Sequence, residues 1–162
     1  MLYKSSDRLH DLADHATAIL CAAEIERSLT LLLKRRLHYD RKVYDAMFEG
    51  AGPLASFEAK INIAYLFGLI QTQTLKKLKL VGRIAKRLGD RANSMGFSSP
   101  TIEKLVTSLA SSASSSAGNA MAADALARSH DIKSQYISVC SHFAERFSTA
   151  AARSEEPIRP HI

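Results

Sequence analysis

The sequence predicts an all-α fold, a compact single-domain bundle of about five to seven helices, and three observations carry that expectation. Apolar residues recur at helical spacing over long stretches, as in Ile132, Tyr136, Val139, Cys140, Phe143 and Phe147, which stand at i, i+4, i+7, i+8, i+11 and i+15. Helix-ending punctuation separates such stretches, chiefly Gly50-Ala51-Gly52-Pro53 and Ser98-Ser99-Pro100. No strand-like alternation of useful length and no internal repeat interrupts the pattern. The composition agrees: hydrophobic residues make up 46% and aromatics 7%, without Trp, which suits close helix packing with Ala and Leu as filler. A chain of 162 residues can bury a core that needs no disulfide or metal staple.

The first helix is capped by Ser5, Ser6 or Asp7 and runs to about Leu37. Leu9, Leu12, Ala16, Ile19, Leu20 and Ala23 form one apolar stripe on it, and Ile25, Leu29, Leu32 and Leu33 add a second face. A helix apolar on two sides is expected to be central. Lys34, Arg35 and Arg36 mark its end with the charge sign favoured at a helix C-terminus. A short helix over about Asp40–Phe48 is expected to turn Val43, Ala46 and Met47 inward. The third helix starts at an N-cap Ser56 and runs from Phe57 to about Leu69, with Phe57, Ile61, Ala64, Tyr65 and Gly68 on one face. Gly68 inside a helix costs about 1 kcal/mol against Ala, so a close helix crossing is expected there.

Helix four spans about Thr72–Asn93. Leu75, Leu78, Val81, Ala85 and Leu88 make its apolar stripe, and Lys76, Lys79, Arg83, Lys86 and Arg87 project on the opposite side. Lys77 falls nearer the apolar side and has to snorkel. A fifth helix opens at Pro100 after Ser98 or Ser99 and continues to about Leu109. Residues 110–127 are rich in Ala and Ser and read as a mobile connector. The last helix covers about Asp131–Ala151. The domain thus extends over residues 1–152, with a disordered tail at 153–162 that holds Glu155, Glu156, Pro157 and Pro160.

The chain carries a formal net charge of +6, and its location matters more than its size. Leu75–Arg91 holds Lys76, Lys77, Lys79, Arg83, Lys86, Arg87 and Arg91 against Asp90 alone, so this segment contains the whole excess. Localised charge points to a polyanionic or acidic partner better than the same charge spread evenly. Charge runs are more often solvated helix faces, however, and no helix-turn-helix or interleaved aromatic platform accompanies this one.

Gly50–Ile70 is the most specific segment. Gly52, Pro53, Leu54, Phe57, Lys60, Ile61, Ala64, Tyr65, Gly68, Leu69 and Ile70 spell G-P-L-x-x-F-x-x-K-I-x-x-A-Y-x-x-G-L-I. That run resembles the signature of the mannitol operon repressor family of small bacterial regulators. The resemblance covers about Ala16–Leu109, with a weaker match in the last helix. It implies a helical transcriptional regulator that acts through protein contacts, a transcription factor among the possible partners, without a DNA-reading module of its own. Contacts are expected at the helix-four face or the Gly50–Ser56 turn. Where the family usually carries R-N-x-F-A-H, this chain has Ala85, Lys86, Arg87, Leu88, Gly89 and Asp90. The Arg, Asn and His of that motif resemble the paired sites of HEPN-type ribonucleases, so their loss argues for a non-enzyme or an inactive relative. Asp90 beside Arg87 and Arg91 is expected to be ionised and is a poor general acid.

Other chemistry is thinly represented. His10, Asp11, Asp14 and His15 form H-D-x-x-D-H on the first helix, which could hold a metal, but ion pairing along the helix surface is the preferred reading. Cys21 and Cys140 lie far apart in apolar patterns and read as separate structural thiols in a reducing cytoplasm. Tyr65 reads as a core residue with a satisfied hydroxyl. No G-x-S-x-G, phosphate loop or dinucleotide fingerprint occurs, so no cofactor is expected. No run is long and apolar enough for a membrane span, and no secretory leader is seen. A direct nucleic-acid binder and a homodimer both stay open.

Overall fold

The computed structural model describes residues 3–37, 40–90, 96–111 and 132–153, the stretch 3–12 by its backbone alone. The protein is all-α: six helices and no strand occur among the described residues. They are α1 (Tyr3–Arg36), α2 (Arg41–Phe48), α3 (Phe57–Leu66), α4 (Thr72–Gly89), α5 (Pro100–Ser111) and α6 (Ile132–Arg153). Of the expected connector at 110–127, residues 110 and 111 belong to α5 and the rest lies outside the described residues. α4 ends at Gly89, short of the expected Asn93, and of the expected tail at 153–162 Arg153 is still helical while 154–162 lie outside the described residues. No described helix is long and apolar enough to cross a membrane.

Local chemistry accounts for most boundaries. α1 contains neither Gly nor Pro over its 34 residues, about 50 Å of unbroken helix at 1.5 Å per residue. α2 starts where the Asp40 carboxylate accepts from the Lys42 and Val43 amides at 2.9 and 3.1 Å. Ser56 caps α3 by accepting from the Ala59 amide at 3.2 Å, and Pro100 opens α5 at the position where a missing N–H costs nothing.

The described residues divide into two units whose boundaries fall within α1, α4 and α6. The first takes Met1–Ala23 and Leu80–Ser141. Its core joins Ala18, Val81, Ile84, Leu88, Phe97, Ile102, Val106, Leu109, Tyr136 and Val139, all buried. Asp14 accepts from the Phe97 amide and from Lys133 Nζ, each at 2.9 Å, so one carboxylate fixes both the segment before α5 and the start of α6. The expected stripe on α1 is displaced: Ile19 and Leu20 are 49% and 68% exposed, and Ala16 and Ala23 face outward. The inward positions include Asp14, Ala18 and Cys21, which carry less apolar bulk than the Ile and Leu that the spacing favoured.

The second unit takes Glu24–Lys79 and His142–Ile162. Ile25, Leu29, Leu32 and Leu33 of α1 are buried with Tyr44, Phe48, Leu54, Ile61, Ala64, Ile70, Leu78, Phe143 and Phe147. The inward residues of α2 are Tyr44 and Phe48, one turn apart, while Val43 is 56% exposed, which corrects the expected face. Tyr44 sets that rotation. Its hydroxyl reaches the Lys34 and Leu37 carbonyls at 2.7 and 3.1 Å, acceptors left open where α1 ends. Lys34 Nζ lies over the Tyr44 and Phe48 rings at 5.6 and 5.4 Å, a cation–π pair of contacts that fixes the same geometry.

Candidate interaction surface

Gly52 begins the signature, and its role is close backbone approach. A Cβ there would press on the Ala46 and Met47 carbonyls, only 2.6 Å from the Met47 oxygen. The turn closes through Gly52 N–H to the Glu49 carbonyl at 2.9 Å and Leu54 N–H to the Met47 carbonyl at 2.8 Å. Pro53 is exposed, Leu54 is buried beneath the turn, and Phe57 is half-buried at the start of α3.

Lys60 is the one buried cation of the segment, with 7% of the residue exposed. Its Nζ donates to Glu26 Oε1 of α1 at 2.6 Å, so the signature lysine ties α3 to α1 and is spoken for within the fold. A buried ammonium without such a partner would carry an uncompensated desolvation cost of several kcal/mol.

α3 ends earlier than the spacing predicts, at Leu66 rather than Leu69. Gly68 has φ +68°, its N–H bonds the Tyr65 carbonyl, and the Leu69 N–H bonds the Ala64 carbonyl, both at 2.9 Å. These two bonds around a left-handed glycine are a Schellman motif. No atom lies within 4 Å of a Cβ built on Gly68, so the glycine is there for its dihedral angle and not for a helix crossing. The expected inward face is corrected with it. Tyr65 is 38% exposed, Leu66 76% and Phe67 44%, three consecutive large apolar side chains in water. Tyr65 is therefore not a core residue; its hydroxyl sits 3.3 Å from Thr72 Oγ1 at the start of α4.

α4 presents its cations as the spacing predicts. In the second unit Lys76 and Lys79 are exposed, and in the first so are Arg83, Lys86 and Arg87, while Leu78, Val81, Ile84 and Leu88 are fully buried. None of the five cations forms an ion pair among the described residues. Lys77 is half-buried, and burial, then repulsion from Arg146, pushes its ammonium below the ordinary lysine range. Ala85 and Lys86 lie in the last turns of this helix and Asp90 directly follows it.

A second basic concentration was not visible in the sequence. Arg36, Arg146 and Arg153 line an open cleft of about 590 Å³ in the second unit together with His142 and Glu145. Burial first, then Arg146 and Lys77, lowers the His142 pKa, with Glu145 opposing. Arg36 belongs to the Lys34–Arg36 run that ends α1 and the others belong to α6, so only the fold brings them together.

The H-D-x-x-D-H stretch is described only in part. His10 and Asp11 fall outside the described side chains, Asp14 accepts from Phe97 and Lys133, and among the described residues the buried His15 Nδ1 has no hydrogen-bond partner. Among the described residues no three His, Cys, Asp or Glu side chains gather as a metal site. Cys21 and Cys140, far apart in the chain, both belong to the first unit and influence each other's titration, lowering the Cys21 pKa and raising that of Cys140. Compared with known proteins, the chain matches no family model, no curated protein and no solved structure.

Proposed function

We propose that this chain is a non-enzymatic regulatory protein of the mannitol-operon-repressor type, acting on transcription through a protein partner and without a DNA-reading module of its own. The observation that carries this reading is the exposed Tyr65-Leu66-Phe67 triplet inside the signature segment. Three adjacent exposed apolar residues cost solubility unless a partner covers them, and aromatic side chains are enriched at the centres of protein interfaces. Lys76 and Lys79, exposed a few residues further along, suit a partner whose contact region combines apolar and acidic groups. A transcription factor already bound to its operator is the partner class that fits a regulator of this kind.

The test is transcript profiling in cells whose chromosomal copy carries Leu66→Asp and Phe67→Asp, at protein levels matched to wild type. Altered transcripts from a defined set of operons, equal to those in a full deletion, are expected; a profile indistinguishable from wild type contradicts the reading. A second reading, direct non-specific nucleic-acid binding, draws on the five exposed cations of α4. It requires duplex binding that weakens steeply with salt and disappears when Lys76, Lys79, Arg83, Lys86 and Arg87 are replaced by Glu.

A further inference from the structure

The first unit brings α1 and α6 together in a regular register. Asp14 meets Lys133 at 2.9 Å, and the Tyr136 hydroxyl lies 3.4 Å from the Ala18 carbonyl. One turn further along both helices, the same register brings Cys21 of α1 to face Cys140 of α6, near enough for each thiol to shift the other's proton affinity. Successive rungs advance by four and three residues on α1 and by three and four on α6, the steps that keep one helix face in contact with another. The two helices run parallel here, and the register itself places the chain's two cysteines opposite one another. Both are free thiols; Cys140 is buried, and Cys21 is partly open to solvent.

We propose that Cys21 and Cys140 are a hydroperoxide-reactive dithiol that closes reversibly into a disulfide between α1 and α6. The pair divides the work. The hydrogen bond donated by Cys140 draws the Cys21 pKa down to about 7 against the opposing effect of burial, while that bond and burial keep the proton on Cys140. The titratable groups facing Cys21 are Cys140 and Tyr136 of α6, and burial first, then Cys140, holds the phenol protonated. An accessible low-pKa thiol beside a second thiol is the arrangement that reacts with peroxides and then resolves. The Cys21 thiolate attacks one peroxide oxygen; the O–O bond breaks, and the departing hydroxide or alkoxide takes up a proton. The sulfur, oxidised by two electrons, is now a sulfenic acid. Cys140 sulfur attacks it, the S–O bond breaks, the Cys140 proton leaves with the hydroxide as water, and the S–S bond forms. With hydrogen peroxide the products are one disulfide and two waters. A dithiol reductant reverses the step by thiol–disulfide exchange.

A thiol whose pKa is lowered carries more thiolate at neutral pH, which outweighs the smaller intrinsic nucleophilicity that comes with lower basicity. The experiment treats the reduced full chain with equimolar hydrogen peroxide, alkylates the remaining thiols after denaturation, and maps peptides without reduction. A linked Cys21–Cys140 peptide pair in a monomeric band, with both thiols restored by dithiothreitol, is expected. Cys140→Ser should stop at a Cys21 sulfenic acid that dimedone traps, and Cys21→Ser should leave Cys140 open to alkylation. Two alkylatable thiols in treated wild type, or linkages only between chains, would overturn the proposal.

Discussion

The two ends of the signature segment are both closed in their backbone and opposite in their side chains. At the Glu49–Ser56 turn, the Glu49, Gly52, Leu54 and Ala55 amides are paired, Gly52 lies against the Met47 carbonyl, and Leu54 is buried beneath. At the end of α3 the Schellman bonds satisfy the backbone just as fully, yet Tyr65, Leu66 and Phe67 point into water. A segment that spends glycine geometry on both ends but buries only one separates the features that hold the fold from those that do not. Gly52, Leu54, Lys60 and Gly68 have structural duties; Tyr65, Leu66 and Phe67 have none of comparable weight.

That contrast can be broken at graded cost. Gly52→Ala should be the most damaging change, because backbone rather than a flexible side chain occupies the space, with a loss of about 3 kcal/mol in denaturant unfolding. Lys60→Ala should cost about 2 kcal/mol. The full penalty of a broken buried pair is reduced because the Glu26 side chain is 30% exposed and water can solvate it. Gly68→Ala should cost about 1 kcal/mol, since only the left-handed dihedral is strained and no neighbour is struck. Leu66→Asp should change stability by less than about 0.5 kcal/mol while changing transcription as described above. A Leu66→Asp variant as unstable as Gly52→Ala would erase the distinction between the two ends.

Much of this architecture was legible in the sequence, for identifiable reasons. Ser56 and Pro100 marked helix starts because a cap or a first-turn proline is a local feature, and the two faces of α4 followed from spacing alone. Misreadings occurred where tertiary contacts decided. Hydropathy favoured Ile19 and Leu20 on α1, but the faces that meet α6 are Asp14, Ala18 and Cys21, whose value lies in an ion pair, a small radius and a thiol. α2 turned by one position because the Tyr44 hydroxyl serves the end of α1. Gly68 resembled a helix-interior glycine because periodicity cannot report a sign of φ. The Cys21–Cys140 pair and the Arg36, Arg146 and Arg153 cleft join distant stretches, so no local pattern contains them.

The most direct test of a protein-contact surface at the end of α3 is photo-crosslinking in living cells with p-benzoylphenylalanine at Leu66. Val43, a singly exposed apolar residue of α2, serves as the control position. A discrete adduct with another protein from the Leu66 position, absent from the Val43 position, is the predicted result. No adduct above the Val43 background, or adducts confined to nucleic acid, would contradict the account.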